Sequence, residues 1–269
     1  MPDIITFAIQ KGGVGKTTGV TNTAFALAQL GFKILVIDAD PNQSNTTTTM
    51  IKDLSQRETY SLYKALGMEL ESGHMSTMAC PGRHENLDII PASIGIQDWE
   101  SNVKGTPDET QGFARLIKDD DGLKKYDFIF IDTPPSKGSM LYNSLMISDY
   151  IIVPIPVSDQ YAIDGFALFY ETVKKTKIHN KKLSILGIQL TKIDGRAPTL
   201  VSTAEKLRGN FERRGLHVFE TTIKLNVDLY KAQTAHKTIF EFDPKKSGAL
   251  DFDNFAKELI GLIKKIKEQ

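Results

Sequence analysis

Residues 4–18 read Ile4-Ile-Thr-Phe-Ala-Ile9-Gln-Lys11-Gly-Gly-Val-Gly15-Lys16-Thr-Thr18. A short apolar run passes straight into a glycine-rich turn, and the residues after Lys16 open a helical pattern. Strand, Gly-rich turn and helix, in that order, are what a phosphate-binding loop requires. Glycines let the backbone curl so that successive N–H groups point inward. A helix that starts near Lys16 adds the positive end of its dipole. Gly12, Gly13, Val14, Gly15, Lys16, Thr17 and Thr18 are therefore the candidate anion-binding residues. In that arrangement the Lys16 ammonium reaches the β- and γ-phosphates of a nucleotide and the Thr17 hydroxyl ligates Mg2+. The strict pattern G-x-x-x-x-G-K-[ST] is not met, because Gln10 stands at its first glycine. Instead the glycines are paired at 12 and 13, and a second lysine precedes them at 11.

Further β-rich runs follow at 33–37, 87–90, 128–131, 150–153 and 183–190, beside the first at 4–9. They are short, rich in Ile, Val and Phe, and mostly unalternating, as parallel strands buried on both faces are. Helical patterns fall at 17–29, 61–66, 140–147, 165–175 and 197–214. The segment 249–267 repeats Phe252, Phe255, Leu259, Leu262, Ile263 and Ile266 at helical spacing. The alternation predicts right-handed βαβ crossovers and an α/β fold, a doubly wound, mainly parallel sheet with helices on both faces, of the P-loop NTPase type. No linker, low-complexity tract or repeat interrupts it, so 1–269 reads as one P-loop domain. The stretch 43–82 is polar and rich in Thr and Ser, and Thr46-Thr47-Thr48-Thr49 fits either the start of a helix or a mobile switch.

Two of the apolar runs end in acids. Ile34-Leu-Val-Ile37 leads into Asp38-Ala-Asp40-Pro41, and Phe128-Ile-Phe-Ile131 leads into Asp132-Thr-Pro-Pro135. Carboxylates at the C-terminal ends of parallel strands share the crevice with the phosphate loop. Asp132 reads as the acid that holds Mg2+, directly or through water. Asp38 and Asp40 can complete the magnesium shell and orient the attacking water. One acid at a strand end is commonly a helix cap. Three converging on a lysine-bearing loop are not explained that way.

Composition narrows the class. The 269 residues are 41% hydrophobic and 25% charged, as in ordinary soluble globular proteins. The single cysteine, Cys80, excludes a disulfide or a cysteine-built metal cage within the chain. It also excludes an iron–sulfur cluster bridged by two thiolates from each of two chains. No stretch approaches the ~20 apolar residues of a membrane span. The opening Met1-Pro2-Asp3 carries no basic segment, so no export signal is expected and a cytoplasmic protein is. Net charge is zero, yet residues 1–170 hold 13 basic against 21 acidic residues and residues 171–269 hold 20 against 12. A split of −8 and +8 lets a neutral protein present a cationic face to a polyanion.

Lys11–Thr18, ILVIDADPNQSN at 34–45 and YDFIFIDTPPS at 126–136 together resemble the ParA/MinD family of deviant Walker A ATPases, and within it the short ParA/Soj-like proteins. IQLTKIDGR at 188–196 and TIKLNVDLYKAQTAHKTIFEFDPKKSGA at 222–249 carry the resemblance over nearly the whole chain. It implies an enzyme that hydrolyses ATP with Mg2+, and an ATP-dependent sandwich homodimer in which Lys11 crosses to the partner's phosphates. Lys11, Lys16 and Asp40 are then the catalytic residues. It further implies nonspecific DNA binding by the dimer on the nucleoid, and hydrolysis stimulated by a ParB-like or cargo-adaptor protein. The cargo would be a plasmid, a chromosome or a protein organelle.

The chain departs from the family in three places. The glutamine of D-x-D-P-Q is displaced to Gln43. The segment P-R-N-V-R-L is replaced by Lys224-Leu-Asn-Val-Asp-Leu229, which loses two arginine positions and gains one lysine. The DNA-contact surface cannot be copied from the family, and among the basic clusters of the chain the candidate DNA contacts are Arg208, Arg213, Arg214 and Lys224. No DNA-reading helix-turn-helix precedes the phosphate loop, so sequence-specific operator binding is not expected. Two alternatives remain. Thr191-Lys-Ile-Asp194-Gly195 resembles the TKxDG base-reading motif of signal-recognition-type GTPases. The tail 258–269 sets lysines beside an apolar stripe, as a MinD-like membrane-surface helix does. It follows Phe252 and Phe255 without a spacer, however, and reads more simply as the last helix packed on the sheet.

Overall fold

The computed structural model describes residues 1–41, 45–67, 74–159 and 161–268. Among them one sheet collects β1 (Asp3–Phe7), β2 (Ile34–Asp38), β3 (Cys80–Pro81), β4 (Leu87–Ile90), β5 (Phe128–Asp132), β6 (Tyr150–Pro156), β7 (Ser184–Ile193) and β8 (Ile223–Lys224). Their order is β3-β4-β2-β5-β1-β6-β7-β8, and every neighbouring pair is parallel except β3 with β4. The helices in chain order are α1 (Lys16–Gln29), α2 (Asn45–Met50), α3 (Leu62–Gly67), α4 (Gly95–Asn102), α5 (Asp108–Ile117) and α6 (Ser139–Ile147). After them come α7 (Ala162–Lys177), α8 (Pro198–Glu212), α9 (Val227–Thr234), α10 (Ile239–Phe242) and α11 (Ser247–Lys267).

The unalternating runs are explained by cover on both faces. In β5, Phe128 and Phe130 enter one apolar layer, while Ile129 and Ile131 enter the other. In β2, Ile34 and Val36 divide from Leu35 and Ile37 in the same way. α1, α9, α10 and α11 supply the first layer, and α3 to α8 supply the second. α1 lies close against β1: a Cβ on Gly19 would come within 2.6 Å of the Phe7 ring. That approach sets the height of the phosphate loop over the strand ends.

The tail is part of the core. Phe252, Phe255, Leu259 and Ile263 of α11 are buried in the α1 layer, and the Lys267 Nζ reaches the Asp3 carboxylate at 2.7 Å. Each such side chain contributes roughly 1.5–3 kcal/mol by burial. Exposing all four to water would cost an amount comparable to the whole stability of a domain.

Several boundaries differ from expectation. The first strand stops at Phe7 rather than residue 9, although the Ala8 N–H still donates to the Ile152 carbonyl at 3.1 Å. β6 continues past Val153 through Pro154 and Pro156. Its pairing with β1 ends at Ile152, so the prolines lie where one edge of the strand has no strand neighbour to lose a hydrogen bond with. Thr46–Thr49 belong to the helix α2. Gln43 lies outside the described residues. β3, β8, α4, α5, α9 and α10 had no counterpart in the pattern.

Candidate active site

The loop between β1 and α1 takes left-handed backbone at Gly13 (φ +69°) and Gly15 (φ +104°), where a side chain would be strained. Gly15 is also the N-cap of α1, and no side chain caps that helix start. The Lys16 Nζ folds back on the loop and donates to the Lys11 carbonyl at 2.8 Å. Burial pushes the Lys16 ammonium down from its ordinary pKa, and the charges of Asp132 and Asp40 oppose that shift. β7 holds the loop from the far side. The Thr191 hydroxyl donates to the Val14 carbonyl at 3.1 Å, and the Lys192 Nζ donates to the Gly13 carbonyl at 2.5 Å.

Asp38 and Asp132 are register partners at the ends of adjacent strands, and both are buried. Asp38 accepts from the Thr47 N–H at 2.8 Å and the Thr47 hydroxyl at 2.7 Å on one oxygen, and from the Asp40 N–H at 3.1 Å on the other. Asp132 Oδ2 accepts from the Thr17 hydroxyl at 2.7 Å and the Thr46 hydroxyl at 2.6 Å. Its Oδ1 is buried without a hydrogen-bond partner among the described residues. Burial raises both carboxyls well above the ordinary carboxylate range, and the charge of Asp132 raises Asp38 further. The hydroxyls of Thr46 and Thr17 and the Lys16 charge draw Asp132 part of the way back.

This donor set fits a hard cation shared with a phosphate. Among the described residues no three His, Cys, Asp or Glu side chains are grouped to hold a metal alone. Asp132 Oδ1 and the Thr17 hydroxyl offer two oxygens, and Mg2+ typically takes the remainder of its shell from substrate phosphates and water. Beside the loop a cleft of about 350 Å3 runs past Asp40 and over the ends of β7 and β8 to α9 and α11.

The sequence-selected residues thus divide. Lys16, Thr17, Asp38, Asp40 and Asp132 converge with the loop Gly12–Thr18. Lys11 is bonded elsewhere: its Nζ reaches Asp159 Oδ2, in the turn between β6 and α7, at 2.5 Å. Arg208 donates to the carbonyls of Val218 at 3.0 Å and Phe219 at 2.8 Å, which clamps α8 to the sheet edge. Arg213 and Arg214 are exposed where α8 ends. Lys224 lines the cleft and pairs with Asp251 of α11 at 3.0 Å. Asp194, the acid of the TKxDG-like motif, pairs with Arg196 at 3.0 Å outside the cleft lining. Sequence reasoning did not assign Thr46, Thr47, Asp159 or Gln189 to the site. The threonine run directly after the acid pair was the one signal for the first two.

The sequence profile of a family described as an AAA domain matches residues 2–185. The chain is 33% identical over 261 residues to the sporulation initiation inhibitor protein Soj of Bacillus subtilis, covering 96% of this chain and 98% of that one. Among solved structures it is similar to the cobyrinic acid a,c-diamide synthase of Mycobacterium smegmatis with bound ADP and magnesium. That match has a TM-score of 0.79 and 26% identity, and it covers 98% of this chain and 96% of that one. It is also similar to a putative plasmid partition protein of Borrelia burgdorferi bound to AMPPNP, with a TM-score of 0.77, 25% identity and coverage of 98% and 99%.

Proposed function

Because the chain belongs to the ParA/MinD family of ATPases, we propose that it hydrolyses Mg-ATP to switch between a monomer and a DNA-bound homodimer that positions cargo. The observation that carries this reading is the convergence of Lys16, Thr17 and the half-open carboxylate of Asp132 on one glycine loop. The similarity to proteins bound to AMPPNP, and to ADP with magnesium, supports the choice of ligand.

In this reading the loop N–H groups and the Lys16 ammonium hold the phosphates. Thr17 and Asp132 hold the cation, and Asp38 fixes Asp40 through its backbone N–H. Asp40 lines the cleft and orients the water that attacks. Held there by Thr17 and Asp132, Mg2+ would supply charge neutralisation to the phosphates. Lys11 leaves Asp159 and reaches the phosphates of the second protomer. Arg213 and Arg214 meet DNA phosphate, with Arg208 and Lys224 holding the same edge of the fold. A ParB-like or cargo-adaptor protein triggers hydrolysis and release. The protein is cytoplasmic and nucleoid-associated. No helix of the described residues is long and apolar enough to cross a membrane, and the packed tail disfavours the MinD-like surface reading.

The test is a binding titration on unrelated DNA duplexes with ATP or ADP across a salt series, run beside an ATPase assay. ATP should strengthen binding, and the ATP-state affinity should fall steeply with salt, because dimerisation doubles the phosphates contacted. Equal binding with both nucleotides would remove the DNA switch. Absence of ATP hydrolysis would remove the enzyme.

A further inference from the structure

Three non-glycine residues among those described take a left-handed backbone: Asp119, Lys192 and His236. Asp and His enter that region more readily than most residues, and lysine has no such preference. Lys192 (φ +58°) stands in β7 where the pairing with β8 slips, between Thr191 and Ile193. A bulge of this kind re-aims a side chain. Neighbouring residues of a regular strand point to opposite faces. Here both reach the phosphate loop: the Thr191 hydroxyl donates to the Val14 carbonyl at 3.1 Å, and the Lys192 Nζ donates to the Gly13 carbonyl at 2.5 Å. Backbone strain persists only where the surroundings impose it, and it collects at functional sites. A trans peptide unit is planar, so its carbonyl and N–H point in opposite directions. Holding the Gly13 carbonyl therefore orients the N–H of Val14, and holding the Val14 carbonyl orients that of Gly15.

The charge of Lys192 points the same way. Its side chain is exposed and lines the cleft beside the loop. No carboxylate among the described residues is in ion-pair contact with it, and Asp194, two residues on, is taken by Arg196. A neutral donor would hold the Gly13 carbonyl as well, so the ammonium calls for an anion that the chain itself does not supply. We propose that Lys192 is a positioning residue of the nucleotide site: it braces the phosphate loop from β7 and sets a further positive charge beside the phosphates. In the ATPase reading, on which this inference rests, the braced N–H groups belong to the cradle of the α- and β-phosphates. ATP and ADP share those phosphates, so Lys192 strengthens the binding of both. Lys16 differs in reaching the γ-phosphate as well.

The test is calorimetric titration with Mg-ATP and with Mg-ADP, beside steady-state hydrolysis and amide hydrogen exchange of the nucleotide-free protein. Lys192→Met keeps an unbranched stem and loses the donor, and it should weaken both nucleotides by roughly tenfold, as loss of one charged hydrogen bond does. KM should rise by more than kcat falls, because the binding lost is common to the ground and transition states. Lys192→Arg should restore most of the affinity. Lys192→Gly accepts the left-handed backbone without strain, so it should melt no lower than wild type and still bind as weakly as Lys192→Met. Exchange at Val14 and Gly15 should quicken in the Met and Gly variants and stay near wild type in the Arg variant. Wild-type affinity for both nucleotides in Lys192→Met or Lys192→Gly overturns the proposal, and so does a loss confined to ATP. Unchanged exchange at Val14 and Gly15 removes the brace whatever the nucleotide does. A wild-type protein that binds neither nucleotide overturns the ATPase reading itself.

Discussion

Asp132 carries two oxygens in different circumstances, and the difference assigns a role to Thr46. Oδ2 is shared by the Thr17 and Thr46 hydroxyls, while Oδ1 is buried and unpartnered among the described residues. If Thr17 serves the cation as proposed, Thr46 is the donor left to keep the carboxylate plane in place. Hydrogen bonds to a charged group contribute about 1.5–3 kcal/mol. Thr46→Ala should therefore raise the Mg2+ concentration needed for nucleotide binding by roughly tenfold, and Thr46→Ser should restore it. The readout is a Mg2+ titration of fluorescent-nucleotide binding with an EDTA baseline, and superimposable curves would remove the role. Lys16→Ala should abolish nucleotide binding, because nothing else in the loop brings a buried positive charge to the phosphates. Asp40→Ala should still bind ATP and lose hydrolysis by about 10²-fold, as expected for loss of a positioned group. Equal turnover in that variant would contradict its role. The charged members of the candidate site were legible in the sequence because strand-end position marks the acids and the glycine loop marks Lys16. Thr46, Thr47 and Gln189 were not, because a threonine run or a lone glutamine has no distinctive pattern until the fold brings it to a carboxylate or a cleft.

Two loops are joined by one contact that bears on the switch. Lys11, in the turn after β1, is paired with Asp159, in the turn after β6. The lysine side chain is 38% exposed, so the pair holds it with an energy of at most about 1 kcal/mol. That is enough to bias an equilibrium by up to roughly fivefold without locking it. If Lys11 serves the phosphates of a second protomer, Asp159→Asn should raise the dimer fraction at a given ATP concentration by a few-fold. Sedimentation velocity over an ATP series measures this, and a fraction equal to or below wild type would show that the pair is not a restraint. At this scale the sequence was legible wherever an element is covered by apolar layers. The central strands, α1 and α11 all announce themselves by buried side chains at the right period. β3 and β8 are two residues each, too short for any period to show. α4 and α5 bury only a few residues each, Ile96 and Trp99 in one and Gly112, Phe113 and Leu116 in the other, between polar neighbours. α9 and α10 are tied down by the Asn226 cap and the Thr238–Glu241 capping box rather than by an apolar stripe.

Strand order turns the charge split of the sequence into a split in space. The acid-rich residues 1–170 build the β3–β4–β2 edge and the centre, and the base-rich residues 171–269 build the β7–β8 edge. Two of the acids have a different fate: Asp38 and Asp132 are buried side by side at the sheet's centre, where burial raises their pKa, that of Asp38 to about 7. In the unfolded chain both return to the ordinary value near 3.8. Between that value and about 7 the folded protein holds a proton that the unfolded chain has released, so acidification through this window favours folding. The stabilisation is present at low pH and is lost as pH rises through the folded value. Going from pH 8 to pH 6, protonation of Asp38 alone is worth about 1 kcal/mol, or roughly 2–4 °C in melting midpoint for a chain of this size. The protein without nucleotide should accordingly melt higher at pH 6 than at pH 8. Asp38→Asn, which has no such proton, should show a flatter dependence. Saturating Mg-ATP should reverse the slope, because a site that holds Mg2+ needs its carboxylates charged and binds less tightly as they protonate. Thermal denaturation at half-unit steps across this range separates the cases. A nucleotide-free midpoint that falls steadily from pH 8 to pH 6 would mean that the buried pair stays ionised and that the site is built to carry two charges even when empty.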